Sequence, residues 1–123
     1  MSYDLGLKDP ATNAWIELDR RHHLEGGTCL LGGCPTATFN ITYNCSWHFN
    51  RVLPRRCDSE PGIRSIYGMT GAASIPVLED AVSKLCDDVS ENYRKKTEGN
   101  AKMALRKCIT LAKMAPEGVW DGD

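Results

Sequence analysis

No apolar run in this 123-residue chain approaches the roughly 18 residues that a membrane span requires, so no spanning segment is expected. The opening Met1-Ser2-Tyr3-Asp4-Leu5-Gly6 lacks the basic and apolar regions of a signal peptide, and the expected location is the cytoplasm. Charge of one sign is not in excess: the net charge of -1 gives no global drive toward nucleic acid or a membrane surface. There is no internal repeat, linker or low-complexity stretch, and the length suits one domain with one core. Nor is there a Walker or dinucleotide fingerprint, or a local signature of a cysteine hydrolase. These absences remove the common enzyme classes, and neither a cofactor nor a catalytic residue is expected.

Six cysteines are present, at 29, 34, 45, 57, 86 and 108, but without a Cys-x-x-Cys pair. Without a signal peptide they read as reduced, mostly buried thiols, and the sequons at Asn40 and Asn44 as chance matches. Cys34, Cys45, His48 and Cys57 together have the chemistry of a tetrahedral zinc set. Only Cys45 and His48 show local ligand spacing, so packed thiols and a hydrogen-bonded histidine are favoured over a metal site. His22-His23 beside Gly26-Gly27 offers an imidazole near neutral pH, but a surface or turn-stabilising role is favoured.

The organising stretch is Phe39 to Phe49. Phe39, Ile41 and Tyr43 alternate with Asn40, Thr42 and Asn44, the period of a half-buried strand. The polar row is uncharged, which suggests a pocket wall or a strand-end hydrogen-bond network rather than a wet face. The central strand is expected at about Ala37 to Asn44, with Asn44 capping a helix that buries Phe49, Val52 and Leu53. Earlier, Tyr3–Lys8 and Trp15–Leu18 alternate around the turn chemistry of Asp9-Pro10-Ala11-Thr12-Asn13, an N-terminal hairpin. A third strand is expected at Thr28–Leu31.

Residues 54–62 read as a loop, and Gly62–Gly68 as one helical turn or a short strand. Ile75, Leu78, Val82, Leu85 and Val89 are spaced 3, 4, 3 and 4, the stripe of a core-facing helix with Pro76 in its first turn. A last helix at about Asn100–Ala115 carries Ala101, Ala104, Leu105, Cys108, Leu111 and Ala112 on one face, with Lys102, Arg106 and Lys113 opposite. Pro116 stops it, and the tail holds Trp120, a large aromatic that needs burial. Residues 79–91 carry five acids against Lys84, and residues 94–113 seven bases against Glu98. Two complementary antiparallel helices explain this better than a nucleic-acid surface. Strands first and helices second spell an α+β domain spanning residues 1–123: a small antiparallel sheet of three or four strands against two or three C-terminal helices.

The segments Asn40-Ile41-Thr42-Tyr43-Asn44, Gly62-Ile63-Arg64, Ile66-Tyr67-Gly68-Met69-Thr70-Gly71, Ser74-Ile75-Pro76-Val77-Leu78-Glu79, Thr97-Glu98-Gly99-Asn100-Ala101 and Gly118-Val119-Trp120-Asp121-Gly122-Asp123 resemble a group of short, uncharacterised phage and prophage proteins. The resemblance covers most of the chain after His22; the many cysteines and the Pro54–Pro61 loop depart from its usual pattern. It implies an origin in a mobile element and a place in the host cytoplasm. It also implies the role of an accessory factor that counters host defence by gripping a host protein or sequestering a signalling nucleotide.

The leading expectation is a non-catalytic binding protein, a homo-oligomer that sequesters a small, nucleotide-like ligand. Its pocket is expected from Asn40, Thr42, Asn44 and His48, with Arg64, Tyr67 and Thr70 at the rim. Thr70-Gly71 leads into a helix whose first amides suit an anion, although turn glycines and solvated arginines (Arg51, Arg55, Arg56, Arg64) are the plainer reading. The alternatives are an inhibitor that binds a host defence protein through an exposed patch including Trp15, Trp47 or Trp120, and a small Cys/His metal-dependent or thiol enzyme.

Overall fold

A computed structural model describes residues 2–22, 34–42, 46–53, 62–85 and 98–122. In chain order they form β1 (Ser2–Lys8), β2 (Glu17–His22), β3 (Cys34–Thr36), β4 (Thr38–Thr42), α1 (Ser46–Val52), a 3-10 turn (Gly62–Ile66), α2 (Gly71–Ser83), α3 (Glu98–Met114) and β5 (Val119–Gly122). A three-stranded antiparallel sheet runs in the order β4-β1-β5, and β2 and β3 form a separate two-stranded sheet. The chain is α+β, as the order of its patterns implies. The expected third strand at Thr28–Leu31 lies outside the described residues.

The central strand is β1, not the segment from Ala37 to Asn44. Tyr3, Leu5 and Leu7 are all buried, and β1 is bonded along both edges. Its second neighbour is the C-terminal tail. Val119–Gly122 shows no strand pattern in the sequence because four residues are too few for a period, yet it lays Trp120 opposite Leu7, 1% exposed. The far edge of β5 is closed too, with Trp120 N–H donating to the Met69 carbonyl and Gly68 N–H to the Trp120 carbonyl, both at 2.9 Å.

The N-terminal hairpin closes only at its mouth, through a bridge between Lys8 and Trp15. Asn13 takes a positive φ of 57° in that turn, a conformation asparagine tolerates better than most residues. Beyond it β2 leaves β1 and pairs with β3. The chain then crosses from one sheet to the other at Ala37, whose N–H donates to the Ile16 carbonyl at 2.9 Å and whose carbonyl accepts from Leu7 N–H at 2.8 Å. Gly6 permits the crossing, because a Cβ there would collide with the Ala37 carbonyl oxygen and lie 2.7 Å from the Thr38 methyl.

One face of the three-stranded sheet is covered by helices. Phe39, Ile41 and Trp120 join the β1 residues in a core cluster with Phe49, Val52, Ile63, Leu78, Leu105 and Leu111. On α1, Phe49, Val52 and the following Leu53 are buried, as their spacing implies. On α3 most of the expected apolar face holds, with Ala101, Leu105, Cys108, Leu111 and Ala112 fully buried and Arg106 and Lys113 exposed, while Ala104 and Lys102 are both half-buried at its margins.

The buried face of α2 differs from the expected stripe. Gly71, Ser74, Leu78 and Ala81 are buried, as is Leu85 just beyond the helix end, whereas Ile75 and Val82 are only half-buried and Val89 lies outside the described residues. The reason is close helix packing. A Cβ on Gly71 would lie 2.8 Å from the Ala115 carbonyl oxygen at the far end of α3, so small residues carry the antiparallel α2–α3 seam. Pro76 sits in the second turn rather than the first, exposed on the side away from that seam.

Candidate functional site

The alternation of β1 and β4 divides their side chains between two faces. Tyr3, Leu5, Leu7, Phe39 and Ile41 go inward. Asp4 and Lys8 go outward together with Thr38 and Asn40. Asp4 lies directly opposite Asn40 in the register, and Asn40 Nδ2 donates to Asp4 Oδ1 at 2.7 Å. Such a cross-strand pair is the unit of sheet stabilisation, and here it sets the orientation of a carboxylate on the face turned away from the core.

A cavity of about 250 Å³ opens beside this pair, lined by Asp4, Leu5, Trp15, Thr38, Phe39 and Asn40. Trp15, 38% exposed, forms its aromatic wall. The indole is held by its neighbours: Lys8 Nζ lies 4.8 Å from the ring centroid and also binds Asp121 Oδ2 at 2.7 Å. That hydrogen bond, with one from Gly122 N–H to Asp121 Oδ1, holds the Asp121 carboxyl below its ordinary range. Thr38 Oγ1 is fixed in turn, 2.9 Å from Thr36 Oγ1. The site therefore has a carboxylate, an amide, a hydroxyl and an indole, each with a partner that sets its position.

Of the seven residues proposed from sequence, Asn40 is the one that lines this cavity. Thr42 ends β4 opposite Ser2 with its side chain outside the described residues, and Asn44 lies outside them altogether. Arg64 stacks on Tyr3, its guanidinium 5.2 Å from the ring, on the inner side of the sheet. Tyr67 reaches the same side near Gly122, where an added Cβ would lie 2.6 Å from its hydroxyl oxygen. Asn40 and the two proposed rim residues thus lie on opposite faces of the sheet. Thr70 caps α2, accepting from Ala73 N–H at 3.1 Å.

The anion corner at Thr70-Gly71 is also spoken for. Gly71 N–H donates to the Gly118 carbonyl, Ala72 N–H to Pro116 and Ser74 N–H to Thr70, at 2.8, 2.9 and 3.0 Å. With Ala73 bonded to the Thr70 side chain, the first-turn amides face protein acceptors rather than a ligand.

His48 is buried in α1 with Trp47 edge-on at 5.0 Å, and Arg51 Nη2 donates to His48 Nδ1 at 3.4 Å. Arg51 also lies over the Trp47 ring at 5.2 Å, leaving that indole 64% exposed. Beside them a groove of about 510 Å³ runs between α1 and α2, lined by Arg51, Val52, Leu53, Pro76, Val77, Asp80 and Lys84. His22 is buried in β2 and its Nε2–H donates to the Thr36 carbonyl across to β3 at 2.9 Å, a structural role. His23, Cys45 and Cys57 lie outside the described residues, and so does the Cys34 side chain. Among the described residues no three His, Cys, Asp or Glu side chains are placed to hold a metal ion. Cys108 is fully buried, and burial pushes its thiol far above the ordinary range. No helix among the described residues is long and apolar enough to cross a membrane.

Asp4 and Thr38 are site residues that the sequence reading missed, and it named Trp15 only for an exposed protein-binding patch. A signal for the first was available: the period that hides Tyr3, Leu5 and Leu7 puts Asp4 on the same face as Asn40 once the two strands pair. Trp15 carried no such signal, because its position depends on β2 diverging from β1. No protein-family model matches the chain, and no curated protein or solved structure is detectably similar to it.

Proposed function

We propose that this is a non-catalytic binding protein, an accessory factor of phage type, that holds a small polar ligand on the outer face of its three-stranded sheet. The observation that carries the reading is the Asp4–Asn40 hydrogen-bonded pair beside Trp15 in the 250 Å³ cavity. Small-molecule sites combine an apolar or aromatic wall with a few placed polar groups, and this is that combination. On β4, Thr38 and Asn40 point to the same face. Of the other described groups suited to acid–base or nucleophilic work, His22 is bonded within its own sheet and Cys108 is sealed in the core.

Saturation-transfer NMR against a deproteinised small-molecule extract of the expression host tests the proposal. Wild-type protein is expected to pick out a small set of ligand signals that Asp4→Ala, still folded, fails to pick out. Identical signals with both proteins, or none with either, would overturn it.

A second reading, direct inhibition of a host protein, is favoured by Trp47. A large exposed aromatic stacked under an arginine beside a groove has the composition of a binding hot spot. Capture of a host protein by wild-type chain and not by Trp47→Ala would favour this reading over the first.

A further inference from the structure

Resting on the outer-face reading, we infer that Lys8 is a positioning residue of that site, tying its aromatic wall, Trp15, to β5 through Asp121. The register puts Lys8 where this is possible. On one edge of β1 it lies opposite Trp15, in the isolated bridge at the mouth of the hairpin. On the other edge it lies opposite Val119, and Asp121 is the diagonal neighbour, opposite Gly6. Residues directly opposite share a face of the sheet, and diagonal neighbours are within reach of a long side chain.

What needs positioning is the ring. The backbone around Trp15 is fixed to β1, with Ile16 N–H donating to the Leu7 carbonyl at 3.0 Å and Asp9 N–H to the Ala14 carbonyl at 2.8 Å. The indole still turns about its side-chain torsions, and at 38% exposure packing encloses it only in part. Lys8 Nζ lies 4.8 Å from its centroid, within the range at which a cation is attracted to the face of an aromatic ring. An ammonium on a flexible stem would not by itself hold a ring still. Asp121 removes that freedom, because its Oδ2 accepts from Lys8 Nζ at 2.7 Å. Asp121 is held in turn by Gly122 N–H, which donates to its Oδ1 at 2.8 Å. The contacts run from β5 across β1 to the cavity wall.

The consequence concerns shape more than stability. One partly exposed ion pair and one cation–π contact add little to the folding free energy, so their loss leaves the fold in place. It leaves the cavity without a fixed wall. Since β5 is anchored by Trp120 in the core, the docking of β5 and the order of that wall are coupled.

The test reads the ¹⁵N relaxation of the three indole N–H groups in ligand-free protein, with Lys8→Met, Lys8→Arg and Asp121→Asn beside wild type. Methionine keeps much of the stem and removes the charge; arginine keeps the charge, the donors and the stacking. Trp15 is expected to be ordered in wild type and in Lys8→Arg. In Lys8→Met and Asp121→Asn its order parameter is expected to fall from about 0.85 toward the flexible range below about 0.6. Trp120 should keep its wild-type value in all four, which separates a loosened ring from a loosened fold. An unchanged Trp15 in Lys8→Met or in Asp121→Asn would overturn the inference, as would an equal loss of order in Lys8→Arg or a loss shared by Trp120. The deproteinised host extract separates this inference from the reading beneath it. Extract signals weakened in Lys8→Met support both. Signals unchanged in Lys8→Met, with Trp15 loosened, would overturn the positioning role and leave the outer-face site in place. No Asp4-dependent signal from the wild type would overturn the site itself, and with it the role of Lys8 there.

Discussion

Ser74 shows how a small polar residue acquires a large structural role. Trp120 buries nearly all its surface in the core, and its indole N–H must find an acceptor there. Ser74 Oγ accepts it at 2.8 Å and donates onward to the Gly71 carbonyl at 2.7 Å. Ser74→Ala removes the acceptor and strands a buried N–H, at a cost of about 1–3 kcal/mol, which urea unfolding would measure. Thr70→Ala loses only the α2 cap, about 1 kcal/mol, and is expected to leave ligand binding unchanged. Asp121 gives a pH signature. Its folded pKa is depressed by Lys8, so its contribution is present above the unfolded carboxylate range and is lost as pH falls through the folded value. The group is largely exposed, so the effect is small, under about 1 kcal/mol; Asp121→Asn should flatten the acid limb of stability only slightly. Cys108 acts at the other end. With its thiol held protonated by burial, stability is unaffected below the unfolded thiol pKa of about 8.5 and declines above it. Cys108→Ala should show a shallower alkaline decline in thermal unfolding, and native-state alkylation should spare Cys108.

Among the elements, α2 separates what a hydrophobic count reads from what packing selects. Counting large apolar residues points to Ile75 and Val82, but the seam with α3 needs a close approach of backbones, and Gly71, Ser74 and Ala81 provide it. Leu78 belongs to both patterns. Leu78→Ala is therefore expected to cost about 2–5 kcal/mol in chemical denaturation. Ile75→Ala, at a half-buried position, should cost clearly less; equal costs would contradict the observed face. By contrast α3 was legible, because its stripe is long and Pro116 marks its stop. β5 was not: Val-Trp-Asp-Gly is too short for a period, and it becomes a strand only because β1 leaves an edge for Trp120 to close. Of the polar row read at Asn40, Thr42 and Asn44, Asn40 alone has a described side chain, and its outward direction was legible in the alternation. Its partner across the sheet was not, since the β1–β4 register depends on contacts far apart in sequence.

For the molecule as a whole, the two candidate surfaces lie apart. The helix-covered side of the sheet carries the core and, beyond it, the α1–α2 groove with Trp47. The opposite side carries Asp4, Asn40 and Trp15. Three tryptophans thus report on three environments: Trp15 at the cavity, Trp47 at the groove and Trp120 in the core. Their indole N–H resonances make the most direct test of the central claim, that the sheet face turned away from the core is where this protein binds. On addition of the deproteinised host extract, the Trp15 resonance is expected to move while those of Trp47 and Trp120 stay in place. Movement confined to Trp47, or no movement of Trp15, would contradict the account.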